Sequence, residues 1–525
     1  MWWISYVSLA EEPEGATQPH ELSFPLEPVE NCVNCHYGWT DSPIDTWQGT
    51  MMANAVEDPL FLAALTVANQ DIPLIGDLCL RCHTPPGWLE GRCAPGDTSL
   101  LVENDYEGVN CDACHRMTQA PEGPLISNAV YTIVDDRVKR GLIGSEFAPH
   151  DVVVDPYLET GEMCGLCHEV NNPLFGDFPI ERTFSEWRAS AFSEPGGQTC
   201  QDCHMPEVIG YAASNYGTPP RTLHLHRFVG ANTFVPRILA GEHPEDTDKV
   251  ASFELVQADA RTLLEDSAVV TIEPAPTSYL GATTAFTVRV ENTTGHKLPS
   301  GYPEGRRAWL EVAVTDATGR ELFHSGAYDP VEARLPDPSV DPFLRKYEAR
   351  LGSDGVFSYH MVEQNEILFD GRIPPRGFRP TPDIAPVGRE FEVLEDGSLA
   401  HWDLAPYEVA IPADAVSPIT VTADLWYQTT IREFVEFLRD TNVTDDSGQR
   451  MYDLWVKYDR DPPEHMEHAT TQFAVQPPLF DFGNDDDDEE DPTACACGSG
   501  GAGAVGGWVV AGLVAARRRR QNSGS

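Results

Sequence analysis

Cys111-Asp-Ala-Cys114-His115, introduced by Gly108-Val109-Asn110, is the middle member of a set of five. Toward the N-terminus the same pattern recurs as Cys79-Leu-Arg-Cys82-His83 and Cys32-Val-Asn-Cys35-His36. Toward the C-terminus it recurs as Cys164-Gly-Leu-Cys167-His168 and Cys200-Gln-Asp-Cys203-His204. At this chain's Cys and His frequencies, chance would give about 0.01 such pentapeptides, so the five copies are one repeated device. Two thiols three positions apart can add to the two vinyl groups of one haem, and the adjacent His can bind its iron. Disulfides or zinc sites are the alternative. Zinc would need paired CxxC units or a downstream His pair, whereas each unit here carries its own His. The pattern therefore predicts five covalently bound c-type haems. Cys32, Cys35, Cys79, Cys82, Cys111, Cys114, Cys164, Cys167, Cys200 and Cys203 are the attachment residues, and His36, His83, His115, His168 and His204 the proximal iron ligands.

The five motifs occupy Cys32 to His204, 173 of the chain's 525 residues. At about 35 residues per haem, neighbouring units must share one core, and the porphyrins must supply much of it. Closely packed haems form a chain along which electrons can hop. Short helices are expected around the motifs. Asp45 opens one that reaches Val56, and Asp58-Pro59 reads as N-cap and N1 of a second, to about Asn69. Thr183-Phe-Ser-Glu186 has the form of a capping box, with Gly196-Gly197 as the stop.

The order Trp47-x-x-Thr50-Met51-Met52-Ala53-Asn54-Ala55, Asp58-Pro59, then Cys79-x-x-Cys82-His83 with Gly87-Trp88-Leu89, resembles a multihaem cytochrome c. The group in question includes the tetrahaem partner of hydroxylamine oxidoreductase. Gly108-Val109-Asn110 before Cys111, and Glu181-Arg182-Thr183-Phe184-Ser185-Glu186-Trp187 leading to Cys203-His204-Met205-Pro206, carry the likeness across roughly residues 30 to 235. Thr294-Gly295-His296-Lys297-Leu298-Pro299-Ser300-Gly301-Tyr302-Pro303 with Arg306 and Arg307 extends it towards residue 470. The resemblance implies electron transfer, with catalysis at an open haem in some relatives. Pentahaem nitrite reductases use CxxCK at the catalytic haem, and no CxxCK occurs here.

Each iron needs a sixth ligand or an open site. His224 and His226, in Leu223-His-Leu-His-Arg227, are the best pair, because residues two apart in an extended strand point the same way. His150, fourteen residues before Cys164, and His296, in the Gly-His-Lys-Leu-Pro stretch, are further candidates. Met52 stands where relatives of the group carry His in Trp-x-x-Ser-x-His. A thioether there would raise that haem's potential, and packing against porphyrin is the alternative. His20, His243, His324, His401, His465 and His468 read as surface, and His360 is undecided. Cys93 reads as a free thiol.

Beyond residue 250 the composition turns to β-branched and alternating runs. Ala268 to Glu273, Ala285 to Asn292, Trp309 to Thr315 and Ile419 to Trp426 are separated by Pro, Gly, Asn and Asp. Ile431 to Asp440 reads as a helix, and Asp329 to Pro386 as long connections. The expected fold class is α+β and multidomain. A mostly α or irregular multihaem domain with a haem-filled core covers residues 25–250, and a β-sandwich-like, immunoglobulin-like domain follows at 251–476. No nucleophile elbow, phosphate loop or metal-binding helix motif appears in it.

Residues 1–24 read as a signal peptide and leader. Met1 to Ala10 is apolar and ends Ser8-Leu9-Ala10, a small-x-small cleavage pattern, though without a basic n-region. Residues 477–494 form an acidic linker. Residues 495–525 contain Cys495-Ala-Cys497, the 19 Gly/Ala/Val-rich residues from Gly498 to Ala516, and then Arg517 to Arg520. That tail can just span a bilayer with its arginines on the cytoplasmic side. It resembles a myxobacterial C-terminal sorting signal. Lys plus Arg number 35 against 83 Asp plus Glu, a formal charge of -48, which excludes nucleic acid and favours basic partners. The expectation is an exported electron carrier, in the periplasm or at the outer cell surface and anchored to a membrane by its C-terminus, meeting redox proteins. The alternatives are a multihaem oxidoreductase acting on a small nitrogen or sulfur compound at one open haem, and a surface protein that uses the β-domain for adhesion.

Overall fold

A cysteine, a second cysteine three residues on and a histidine one further share one face of a helical turn, because side chains at i, i+3 and i+4 lie together. In the computed structural model, which describes residues 15–144, 148–176, 178–214, 220–273 and 277–477, the motifs sit on such turns. The helices are Glu30–His36, Gly76–His83, Cys111–Arg116, Gly161–Gly165 and Cys200–His204. The fourth stops inside its motif, and the turn is completed by the amides of Cys167 and His168 on the Cys164 carbonyl, at 3.2 and 3.0 Å. Asn110 caps the third, accepting from the Ala113 amide at 3.0 Å. Gly108 is left-handed at φ +60°, and a Cβ there would come 2.4 Å from the Met52 carbonyl, so Gly108-Val109-Asn110 is the sequence of a close crossing.

Asp58 caps Pro59–Asp71 through the Leu60 and Phe61 amides, with Pro59 at the first position, as its sequence predicts. The segment expected as a helix from Asp45 to Val56 is instead a five-residue helix, Pro43–Trp47, followed by turns. Thr183–Arg188 is a helix, but Thr183 does not cap it. Glu186 is drawn away into a buried charge cluster described below, and the helix ends well before Gly196. The strand before His226 ends at His224, so the two-residue alternation does not carry on to His226 and the two rings diverge.

The strand-rich half holds two antiparallel sheets. With β1 at Ala268–Glu273, β2 at Thr283–Asn292, β3 at Arg307–Thr315, β4 at Glu321–Ser325, β5 at Trp402–Ala410, β6 at Ile419–Gln428 and β7 at Glu464–Phe473, the orders are β5-β2-β1 and β4-β3-β6-β7. Phe286 stands opposite Tyr407 in the first sheet, and Leu310 opposite Leu425 in the second. Alternate residues of β2 and β6 turn inward, and Val288, Leu310, Tyr407, Val421 and Leu425 meet in one core. The stretch read as connections, 329–386, contributes Arg345–Tyr347 beside β3 and a small sheet of its own around Ala349–Ser353.

The expected boundary at 250/251 falls inside a 19-residue helix, Thr247–Glu265. Its Phe253, Val256, Ala260 and Leu264 recur every three or four residues and are buried. All described residues belong to one compact unit. Leu60, Ala63, Val67 and Phe234 pack with Phe434, Leu438 and Trp455 of the last two helices, Arg432–Thr441 and Ser447–Lys457. A buried charge cluster makes a second join. Lys297 Nζ lies 2.6 Å from Asp370, and Arg372 reaches both Asp370 and Glu186 at 2.8 Å. The Lys297 amide and the Ser300 hydroxyl donate to Glu186 at 3.1 and 3.0 Å. This cluster fixes the loop that carries His296. Among the described residues, no helix is long and apolar enough to cross a membrane. The leader up to residue 14, the acidic linker and the C-terminal tail lie outside the described residues.

Candidate functional site

One cavity of about 1710 Å3 is lined by all ten motif cysteines and all five motif histidines. Ligand pockets usually measure about 300–1,000 Å3, so this space is of the size for several large groups in mutual contact. All eleven described cysteines are free thiols. Thiols of different motifs are neighbours: Cys32 of Cys111, Cys82 of Cys167, and Cys164 of Cys200. Site 1 is thus beside site 3, and site 4 is beside both site 2 and site 5.

A metal-binding imidazole donates its second nitrogen to a carbonyl or carboxylate, which fixes the ring and leaves the other nitrogen free. Four of the five motif histidines do this with main-chain carbonyls. His36 Nδ1 meets Ala212 at 2.8 Å, His83 meets Ala55 at 2.8 Å, His115 meets Arg140 at 2.6 Å, and His204 meets Val229. His168 faces a carboxylate, with Nδ1 3.7 Å from Glu181.

Three of these rings have a second imidazole opposite. His150 lies 6.5 Å from His36, His226 lies 6.1 Å from His115, and His296 lies 6.3 Å from His204, ring centre to ring centre. Two imidazoles binding one metal from opposite sides, each at about 2 Å, hold their centres about 6 Å apart. The residues present therefore fit haem in attachment, ring orientation and spacing. Burial lowers the pKa of His36, His115, His204 and His296, and pushes His83 to about 4 and His226 to about 3. These rings stay neutral at pH 7, the form that binds metal. Burial also acts on His168, but Glu181 outweighs it and raises the ring to about 9.

Among the described residues, no histidine ring stands opposite His83 or His168. Phe61 stacks on the face of His83 at 3.6 Å. His224 lines the cavity but pairs with no motif histidine. Its Nδ1 meets the Met205 carbonyl at 3.0 Å, and its Nε2 faces Glu159 and Glu207 at 3.6 and 3.9 Å. Met51 and Met52 both line the cavity, and Met51 also packs beside Val235 and Phe253. His360 is held by Asp71 at 2.8 Å. Cys93 is fully buried, and burial pushes its thiol up to about 12, so it is a core residue with no nucleophilic character. Sequence reasoning missed Glu181 and the carbonyl partners.

Residues 31–116, which contain the first three motifs, match the family model described as cytochrome c554 and c-prime. Among solved structures the chain is similar to a penta-heme cytochrome c552 from Thermochromatium tepidum, with a TM-score of 0.53 and 20% identity, over 85% of this chain and all of that one. It has the fold of a multihaem cytochrome c. That share of the cytochrome fold reaches beyond the motif region into the strand-rich half. No curated protein sequence matches the chain.

Proposed function

We propose that this chain carries five covalently bound c-type haems and passes electrons along them between redox proteins outside the cytoplasm. The observation that carries the reading is the trio of facing imidazole pairs, with His150, His226 and His296 as sixth ligands at sites 1, 3 and 5. Haems supply one-electron transfer. The chain fixes each proximal ring through its second nitrogen, closes three sites with a second imidazole, and keeps water from the core. The neighbouring motif thiols support a path 1–3 and 2–4–5, with Cys114 of site 3 near Cys167 of site 4 joining the two. Denatured protein should show five haem additions by mass spectrometry, and four or fewer would refute the reading.

Sites 2 and 4 favour a second reading, an oxidoreductase that takes a small nitrogen or sulfur compound there. Asp58, Tyr302, Arg306 and Glu181 line the same cavity, and Arg306 lies over the Tyr302 ring at 4.8 Å. A wholly low-spin spectrum of the purified protein would exclude that reading, and a high-spin share of one or two haems in five would favour it.

Location belongs to the same proposal. Haem attachment at CxxCH and the tail with its four arginines support an exported protein held to a membrane, its haems on a charged, flexible tether. Deleting residues 494 to 525 is expected to release haem-loaded protein into the periplasm or medium. Retention of the truncated protein on membranes would refute the anchor.

A further inference from the structure

Site 4 differs from the other four in what holds its proximal histidine. The others donate to main-chain carbonyls, whereas His168 Nδ1 faces the Glu181 carboxylate at 3.7 Å. The fold builds this arrangement. The strand Val170–Asn172 leaves the motif directly and pairs with Phe178–Glu181, register Val170 to Glu181, so the returning strand sets Glu181 beside the motif it came from. The Thr183 hydroxyl donates to the same carboxylate oxygen at 3.3 Å, and the Phe184 amide donates to the His168 carbonyl at 3.1 Å. Both ends of the arrangement are thereby tied to one turn.

We propose that Glu181 is a positioning residue that orients His168 and polarises it toward imidazolate, giving site 4 the lowest potential of the five. This rests on the five-haem reading above. A carboxylate on the far nitrogen raises ligand basicity, and a more strongly donating axial ligand stabilises the oxidised iron, which lowers the potential. Backbone carbonyls carry only a partial charge and do this less. Because the thiols of site 4 neighbour those of both site 2 and site 5, the lowered site stands at the junction of the path, where one residue governs passage between the two branches.

The test uses the full-length, haem-loaded protein. In a spectroscopic redox titration, Glu181→Gln is expected to move one of the five midpoint potentials upward and leave four in place. Glu181→Asp, which keeps the charge, is expected to give a smaller shift of the same potential, and serves alone if the Gln variant does not accumulate. Five unchanged potentials in the Gln variant, no shift in the Asp variant when it alone accumulates, or a common shift of all five would overturn the proposal. Fewer than five haems in the unmodified protein would instead overturn the reading on which it rests.

Discussion

His226→Ala is expected, on the five-haem reading, to turn one low-spin haem in five high-spin while all five remain attached. His226 follows the end of the strand Arg221–His224, with its ring centre 6.1 Å from that of His115 and Phe228 edge-on at 5.9 Å. Truncation removes the imidazole and leaves Cys111, Cys114 and His115 untouched. Attachment is therefore unaffected, while the field at one iron weakens. His224→Ala is the matched control. Its ring faces Glu159 and Glu207 and no motif histidine, so its spin-state spectrum should equal that of the unmodified protein. The two variants differ by two positions in one segment, and electron paramagnetic resonance separates them. An unchanged spectrum for His226→Ala would return that residue to ordinary core packing.

Lys297→Met is expected to cost about 3–5 kcal/mol, the usual penalty for removing one partner of a buried ion pair. Lys297 and Asp370 are both almost fully buried and 2.6 Å apart. Burial alone would raise the Asp370 carboxyl, but Arg372 and Lys297 hold it well below the ordinary carboxylate range. A depressed carboxyl contributes stability that is present above its unfolded value and lost as pH falls through its folded value. The loss in Lys297→Met, read as a lower urea midpoint, should therefore shrink in strong acid. The double variant Lys297→Met, Asp370→Leu should recover part of the loss, because two apolar groups leave no orphaned charge on this pair. A single variant as stable as the parent would show that Arg372 alone satisfies Asp370. His296 precedes Lys297 in the chain, so the same variant should also perturb the site at His204.

The motifs were legible because their chemistry is covalent and local: two thiols and an imidazole at fixed spacing cannot mean many things. The β-strands were legible because alternation is a one-dimensional signal, and Ala268–Glu273 appears in the structure with the expected ends. The helix Thr247–Glu265 was not legible: its apolar residues recur at helical spacing, but they are spread thinly through a polar sequence that straddles the change in composition at residue 250. Partnerships were not legible. His36 and His150 meet across more than a hundred residues, and no spacing rule relates them. The carbonyls of Ala212, Ala55, Arg140 and Val229 belong to residues whose side chains are irrelevant to the contact. Glu181 reaches His168 only because a short hairpin folds back, and nothing in the sequence singles it out from its neighbours.

The closeness of thiols from different motifs has a consequence for how the protein is made. Oxidation of a chain that reached this fold before haem attachment could join Cys32 to Cys111, Cys82 to Cys167 and Cys164 to Cys200, which are neighbours across motifs. Each such bridge would disable two motifs at once, and together they would leave none of the five intact. If the chain matures in an oxidising compartment, as proposed above, its motif thiols have to be kept reduced and consumed while the polypeptide is still open, before the final packing brings them together.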